Sequence, residues 1–291
     1  MPSWQKGKVS IMRKNGTMLH ETMKNVLKET AASQPDSKKH DFEKTEKQEK
    51  YKAEKKENGK KKDIEKKKDK KAITEIVFIL DRSGSMGGLE TDTIGGYNSM
   101  LSKQKKEDGE AYVTTVLFDE RIEILHDREN LKKVKPITDR EYFVRGSTAL
   151  LDAVGSTISR IKNERKNADS AELPQKTLFI ITTDGMENAS REYTYNTVKK
   201  LVEQQKKKDK WEFIFLGANI DAVAVAGRFG ISEKRAVRYE CDSAGTQLNF
   251  DVMSKMVSCA RECATADMME KAFDDDALLA PIQADFKKRH K

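Results

Sequence analysis

Ile76-Val77-Phe78-Ile79-Leu80-Asp81-Arg82-Ser83-Gly84-Ser85-Met86-Gly87 is the stretch on which the fold turns. An unbroken run of large apolar residues, Ile76 to Leu80, reads as a strand buried on both faces. The segment after it carries one carboxylate, Asp81, and two hydroxyls, Ser83 and Ser85, on a glycine-rich turn at the carboxyl end of that strand. Leu89, Ile94, Tyr97 and Leu101 then open a helical pattern. In open α/β sheets ligands bind at this end of the strands. Oxygen donors at alternate positions, on a backbone free to bend at Gly84, suit a hard divalent cation.

Two later stretches supply more oxygens. Arg145-Gly146-Ser147-Thr148-Ala149-Leu150 opens a helix, and Thr177-Leu178-Phe179-Ile180-Ile181-Thr182-Thr183-Asp184-Gly185 is a second apolar strand ending in a carboxylate. Asp-x-Ser-x-Ser, then a Gly-Ser-Thr turn, then a strand ending in Thr-Asp-Gly, in that order, resembles the von Willebrand factor type A (VWA) domain. The resemblance covers roughly residues 72–265 and is to the intracellular, bacterial type of the family. The family's metal-ion-dependent adhesion site (MIDAS) is built from these three loops, and all five ligand positions are present. The resemblance therefore implies that Asp81, Ser83, Ser85, Thr148 and Asp184 hold Mg²⁺, with Mn²⁺ or Ca²⁺ as substitutes. The hydroxyls would bind directly, and the carboxylates directly or through waters. It implies too that an acidic residue of a partner protein fills an open position on the metal, so that the chain is a binding module and not an enzyme. Work beside an AAA+ ATPase or in another multiprotein assembly is what family analogy adds.

Each ligand has a duller reading when taken alone. Asp81 or Ser83 could merely turn the chain, Ser147 or Thr148 could cap a helix, and Asp184-Gly185 is a common turn dipeptide, with Asn188 or Ser190 capping the next helix. Independent turns and caps have no reason to fall into this order, which favours the joint reading. Gly84, Gly146 and Gly185 let the three loops approach closely.

Around these loops, strands and helices alternate. Strands are expected near 73–80, 112–118, 121–125, 177–183, 212–216 and 236–239, and helices near 91–107, from Thr148 onward, and near 190–207, 221–229 and 246–264. Only Asp119-Glu120 separates the second and third strands, which reads as a hairpin. The expected fold is α/β: a Rossmann-like, doubly wound, mainly parallel sheet with one antiparallel edge strand. Residues 266–291 read as a loosely packed tail.

The first 71 residues differ in kind. They hold 22 Lys and Arg against 12 Asp and Glu, while the remainder holds 34 against 36. The net charge of +8 thus belongs to an arm. Within residues 1–37, Leu19, Met23, Val26 and Leu27 recur at helical spacing from Thr17 to about Ala31, either as a marginal helix or as a docking helix for a partner. Residues 38–71 form a Lys/Glu-rich linker, disordered or a solvated helix, with Phe42, Tyr51 and Ile64 as its only large apolar residues. The alternative is contact with nucleic acid or an anionic surface through this basic arm, whose interleaved acids blunt its field.

Enzyme classes fare poorly. A phosphohydrolase with Asp81 as nucleophile needs a second Asp two residues on, where Ser83 stands. Ser83-Gly84-Ser85-Met86-Gly87 has the form of a serine-hydrolase elbow around Ser85, but His126 precedes Asp184 and the only later histidine is His290. All four histidines read as surface residues. Cys241, Cys259 and Cys263 are too few and too odd in number for a disulfide framework, and no further Cys or His completes a zinc set. No apolar run approaches the ~20 residues of a membrane span, and Met1-Pro2-Ser3-Trp4-Gln5-Lys6 lacks the apolar region of a signal peptide, so a soluble cytoplasmic protein is expected.

Overall fold

The computed structural model describes residues 72–169 and 173–291; the arm, its expected helix at 17–31 and the linker at 38–71 lie outside the described residues. In chain order the elements are β1 (Thr74–Asp81), α1 (Glu90–Lys105), β2 (Ala111–Phe118), β3 (Ile122–Asn130), α2 (Leu150–Asn167), β4 (Lys176–Thr183), α3 (Tyr195–Asp209), β5 (Glu212–Ala218), α4 (Ala222–Arg228), β6 (Ala236–Tyr239), α5 (Ser243–Glu262), α6 (Ala266–Phe273) and α7 (Ala280–Arg289). The strands form a six-stranded sheet in the order β3-β2-β1-β4-β5-β6. Every pairing is parallel except β2 with β3. This is the doubly wound, Rossmann-like architecture with one antiparallel edge.

Alternation along β1 explains the layering. Ile76, Phe78 and Leu80 pack with Tyr97, Met100 and Leu101 of α1 and with Val252, Met253 and Met256 of α5. Val77 and Ile79 point the other way, into Leu151, Val154 and Ile158 of α2 and Val198 and Val202 of α3. Successive side chains of a strand face opposite sides, so a strand covered on both must be apolar throughout. All eight residues of β1 are buried.

Four local expectations need correction. The third strand runs to Asn130 rather than stopping at 125, with register shifts against Val113, Thr115 and Val116, and the turn before it has three residues, Asp119 to Arg121. A bulge adds an unpaired residue and bends a strand, which blurs its apolar alternation. The helix expected at 190–207 starts at Tyr195 and is capped by Thr194, not by Asn188 or Ser190. His126 is buried: its Nδ1 lies 3.0 Å from Thr115 Oγ1, whose hydroxyl meets Tyr97 Oη at 2.5 Å. The stretch 266–291 is not a loose tail. It forms α6 and α7, and Met269, Phe273, Leu279 and Ile282 join the core on the α5 side of the sheet. Among the described residues no helix is long and apolar enough to cross a membrane.

Candidate metal centre

The sheet order reverses at β1, which pairs with β2 on one side and β4 on the other. Crevices at such switch points, beyond the carboxyl ends of the strands, are where this architecture places ligands. Asp81 is the last residue of β1 and Asp184 follows the last residue of β4. The register therefore brings Asp81 level with Thr183, and both carboxylates leave neighbouring strand ends at the switch point.

The five residues singled out from the sequence meet there. Ser83 N donates to Asp81 Oδ1 at 2.7 Å. Ser83 Oγ lies 3.2 Å from Ser85 Oγ, and Ser85 Oγ donates to Asp184 Oδ1 at 2.6 Å. Thr148 stands just before α2, and its hydroxyl faces Gly185: a Cβ on Gly185 would lie 3.4 Å from Thr148 Oγ1 and 3.2 Å from Ser85 Oγ. Glycine at 185 keeps that space clear. Asp81, Ser83, Thr148 and Asp184 are buried while Ser85 is exposed, so the cluster opens to solvent past Ser85.

The loops are tied together by groups outside these five residues' side chains. Gly84 N donates to Gly146 O at 3.1 Å and Arg145 N to Arg82 O at 3.0 Å. Gly146 has φ +65°, a conformation that costs other residues about 1 kcal/mol or more. Arg82, with no exposed surface, donates through Nε to Asp119 Oδ2 at 2.9 Å and through Nη2 to Glu123 Oε2 at 2.8 Å. Arg145 Nε reaches the same Asp119 oxygen at 2.7 Å, and Asp119 O accepts from Ala149 N beside Thr148. Tyr142 Oη donates to Asp81 O at 2.6 Å.

The start of α2 is held from the third loop rather than by its own cap. Thr148 N donates to Asn188 Oδ1 at 2.9 Å and Leu151 N to Glu187 Oε2 at 2.8 Å. In return Asp152 accepts from the backbone N–H groups of Arg191, Glu192 and Tyr193. Neither Ser147 nor Thr148 caps the helix.

Thr183 and Cys241 were not anticipated from the sequence. Thr183 Oγ1 donates to Asp81 Oδ2 at 2.6 Å. Cys241 Sγ donates to Asp184 Oδ2 at 3.7 Å, and burial followed by the Asp184 charge pushes its thiol up to about 12. Thr183 had a readable signal, since it precedes Asp184 on an apolar strand. Cys241 had none, because its approach depends on how β6 stacks beside β5.

Burial pushes the Asp81 carboxyl up to about 6, against the hydrogen bonds from Thr183 and Ser83 that favour its charged form. Burial also raises Asp184, with the Ser85 hydroxyl opposing. Among the described residues no lysine, arginine or histidine pairs with either carboxylate. Nor, among them, is any group of three or more His, Cys, Asp or Glu side chains placed to hold a metal; the present set is two carboxylates with three hydroxyls.

No family model matches the sequence, and no curated protein does. Solved structures resemble the fold. The vWF domain of the type V pili tip protein Mfa5 from Porphyromonas gingivalis superposes with a TM-score of 0.48 at 11% identity, over 66% of this chain and 97% of that one. Proximal thread matrix protein 1 from the mussel byssus, with a zinc-occupied MIDAS motif, gives 0.45 at 16% identity, over 65% and 46%. The ArnB paralog VWA2 from Sulfolobus acidocaldarius gives 0.42 at 19%, over 62% and 45%. This chain spans a little under half the length of the latter two. With scores below 0.5, the fold assignment stands on sheet order and register.

Proposed function

We propose that this chain is a VWA-type, metal-dependent protein-interaction module, in which Asp81, Ser83, Ser85, Thr148 and Asp184 hold Mg²⁺ and an acidic residue of a partner protein completes the metal's surroundings. The observation that carries this reading is a pair of buried carboxylates, bridged by serine hydroxyls and lacking any cationic side chain. Buried charges are otherwise paired or bound to metal. The residues fit a hard ion: all five donors are oxygens, two of them anionic, which suits Mg²⁺, Mn²⁺ or Ca²⁺. Two negative charges against +2 leave the ion electrophilic toward a further carboxylate.

The chain's own groups have distinct parts in this. Ser83 N and the Thr183 hydroxyl fix both oxygens of Asp81, holding it in one orientation. The Ser85 hydroxyl does the same for Asp184 from the solvent side. That arrangement disfavours the enzymatic readings. An Asp81 nucleophile would have both oxygens engaged, and Ser85 donates to a carboxylate with no histidine beside it, since His126 sits with Thr115 and Tyr97.

Thermal unfolding of the full chain in EDTA, Mg²⁺ and Mn²⁺ tests the reading. A metal at 100 times its dissociation constant adds about 2.7 kcal/mol, and each kcal/mol moves the midpoint of a domain this size by roughly 2–4 °C. The wild type should gain several degrees, Asp81→Ala and Thr148→Ala nothing, and both variants should lose Mg²⁺-dependent capture of partner proteins. No shift in the wild type, or capture that persists in EDTA, overturns it.

A further inference from the structure

Two of the three cysteines meet at the end of α5. Cys259 lies in its last turn and Cys263 is the residue that ends it, with Cys263 N donating to Cys259 O at 3.2 Å. Residues four apart on a helix share one face. The Cys259 thiol accordingly donates to Cys263, and both residues are half-buried. Cys259 also opens onto a groove of about 490 Å³ lined by Lys103, Asp251, Ser254, Lys255, Ser258 and Glu262, which gives the pair a route to solvent.

A buried lysine stands against the same turn. Lys176, 1% exposed, donates through Nζ to Ala260 O at 2.7 Å, to Arg261 O at 3.1 Å and to Cys263 O. Three carbonyls satisfy its hydrogens, but no carboxylate among the described residues faces it, and burial pushes its ammonium down to about 8. The helix end supplies only roughly half a negative charge. A buried charge is ordinarily paired, so this corner is short of negative charge, and the nearest groups able to supply it are the two thiols.

Thiolates favour soft ions, Cu⁺ and Zn²⁺ among them. Structural zinc takes four ligands, and among the described residues no third His, Cys, Asp or Glu joins this pair. A two-coordinate ion needs none. Cu⁺ displacing both thiol protons gives a dithiolate complex of charge −1, and two protons leave. We propose that Cys259 and Cys263 form a site for Cu⁺, bound between the two sulfurs, with the buried Lys176 ammonium balancing the charge of the complex. The site is independent of the candidate metal centre. Lys176 is the first residue of β4 and Asp184 follows the last, so the two stand at opposite ends of that strand.

The test titrates the full chain, reduced and anaerobic, into Cu⁺ held by the coloured chelator bicinchoninate. The wild type and Cys241→Ser should each withdraw one Cu⁺ per chain, and Cys259→Ser and Cys263→Ser none. Copper-edge X-ray absorption of the wild type should show two sulfur neighbours, a readout that needs no variant to fold. Lys176→Gln keeps donors for the carbonyls and removes the charge. It should bind Cu⁺ roughly tenfold more weakly, the scale of one charge interaction near a protein surface. Its affinity for Hg²⁺, whose dithiolate is neutral, should match the wild type in competition with a small dithiol. No withdrawal by the wild type, full withdrawal by either Cys259→Ser or Cys263→Ser, one Cu⁺ shared by two chains, or a copper neighbour set other than two sulfurs each overturns the site. Equal weakening of Cu⁺ and Hg²⁺ in Lys176→Gln overturns the part given to Lys176.

Discussion

Asp81 is the residue at which fold and function pull in opposite directions. Its burial, which sets it against Ser83, Thr183 and Asp184, also raises its carboxyl from 3.8 to about 6. A carboxyl raised on folding costs nothing below its unfolded value, and its cost grows with pH until it is complete above the folded value. In EDTA, Asp81 should therefore cost the domain stability progressively between pH 4 and 6, by up to roughly 3 kcal/mol at pH 7. Asp81→Asn keeps an acceptor for Ser83 N and removes the charge. Urea unfolding in EDTA should find Asp81→Asn more stable than the wild type at pH 7.5 and close to it at pH 4, while Mg²⁺ stabilises only the wild type. Equal stabilities at pH 7.5 would show that the charge is already compensated. That Asp81, Ser83, Ser85, Thr148 and Asp184 meet was legible through the order of three motifs that resembles the VWA domain, since local pattern puts each motif at a strand end or helix start. Their supports were not. Asp119, Glu187, Asp152 and Cys241 act across loops, and nothing in a single sequence states which carboxylate will meet which backbone N–H.

At the scale of elements, the loops after β1, β2 and β3 are joined through one buried ion pair. Arg82 and Asp119 have no exposed side-chain surface, and Asp119 also takes Arg145 and, through its carbonyl, Ala149 N. Removing one partner of a buried pair leaves a desolvated charge and costs about 3–5 kcal/mol, whereas replacing both by apolar groups is often tolerated. Asp119→Ala should fall near the lower end, since Glu123 and the Glu141 carbonyl still meet Arg82. Arg82→Met in that background should recover part of the loss. Chemical denaturation of the four species closes the cycle, and additive losses would mean the pair is not a unit. The same loops explain which boundaries were readable. Apolar runs marked β1, β2, β4 and β5 to within a residue or two, because burial on both faces leaves little choice of residue. The start of α3 was misplaced because Asp152 and Glu187 engage the backbone of residues 189–193 that a helix would otherwise use.

For the molecule as a whole, the α/β order and single antiparallel edge followed from strands that alternate with helices and one short turn. The last 26 residues escaped because Asp274-Asp275-Asp276 and the terminal Lys287-Lys288-Arg289 dilute their apolar pattern. Yet α6 and α7 complete one face. Met269, Phe273, Leu279 and Ile282 are each 4% exposed or less, beside Val237, Tyr239 and Met256. Polar anchors fix them: Arg235 Nη2 donates to Glu270 O at 3.0 Å, and Lys210 Nζ to Glu270 Oε2 at 3.1 Å. At the far end Arg289 pairs with Asp242, next to Cys241. Each large apolar side chain that regains solvent costs about 1.5–3 kcal/mol, so ending the chain after Thr265 removes on the order of 5 kcal/mol once part of the exposed face relaxes. At roughly 2–4 °C per kcal/mol the midpoint should fall by about 10 °C or more, and the truncated protein should bind a hydrophobic dye that the full chain does not. A truncation that melts within about 2 °C of the full chain would mean that these two helices are a covering the sheet does not need.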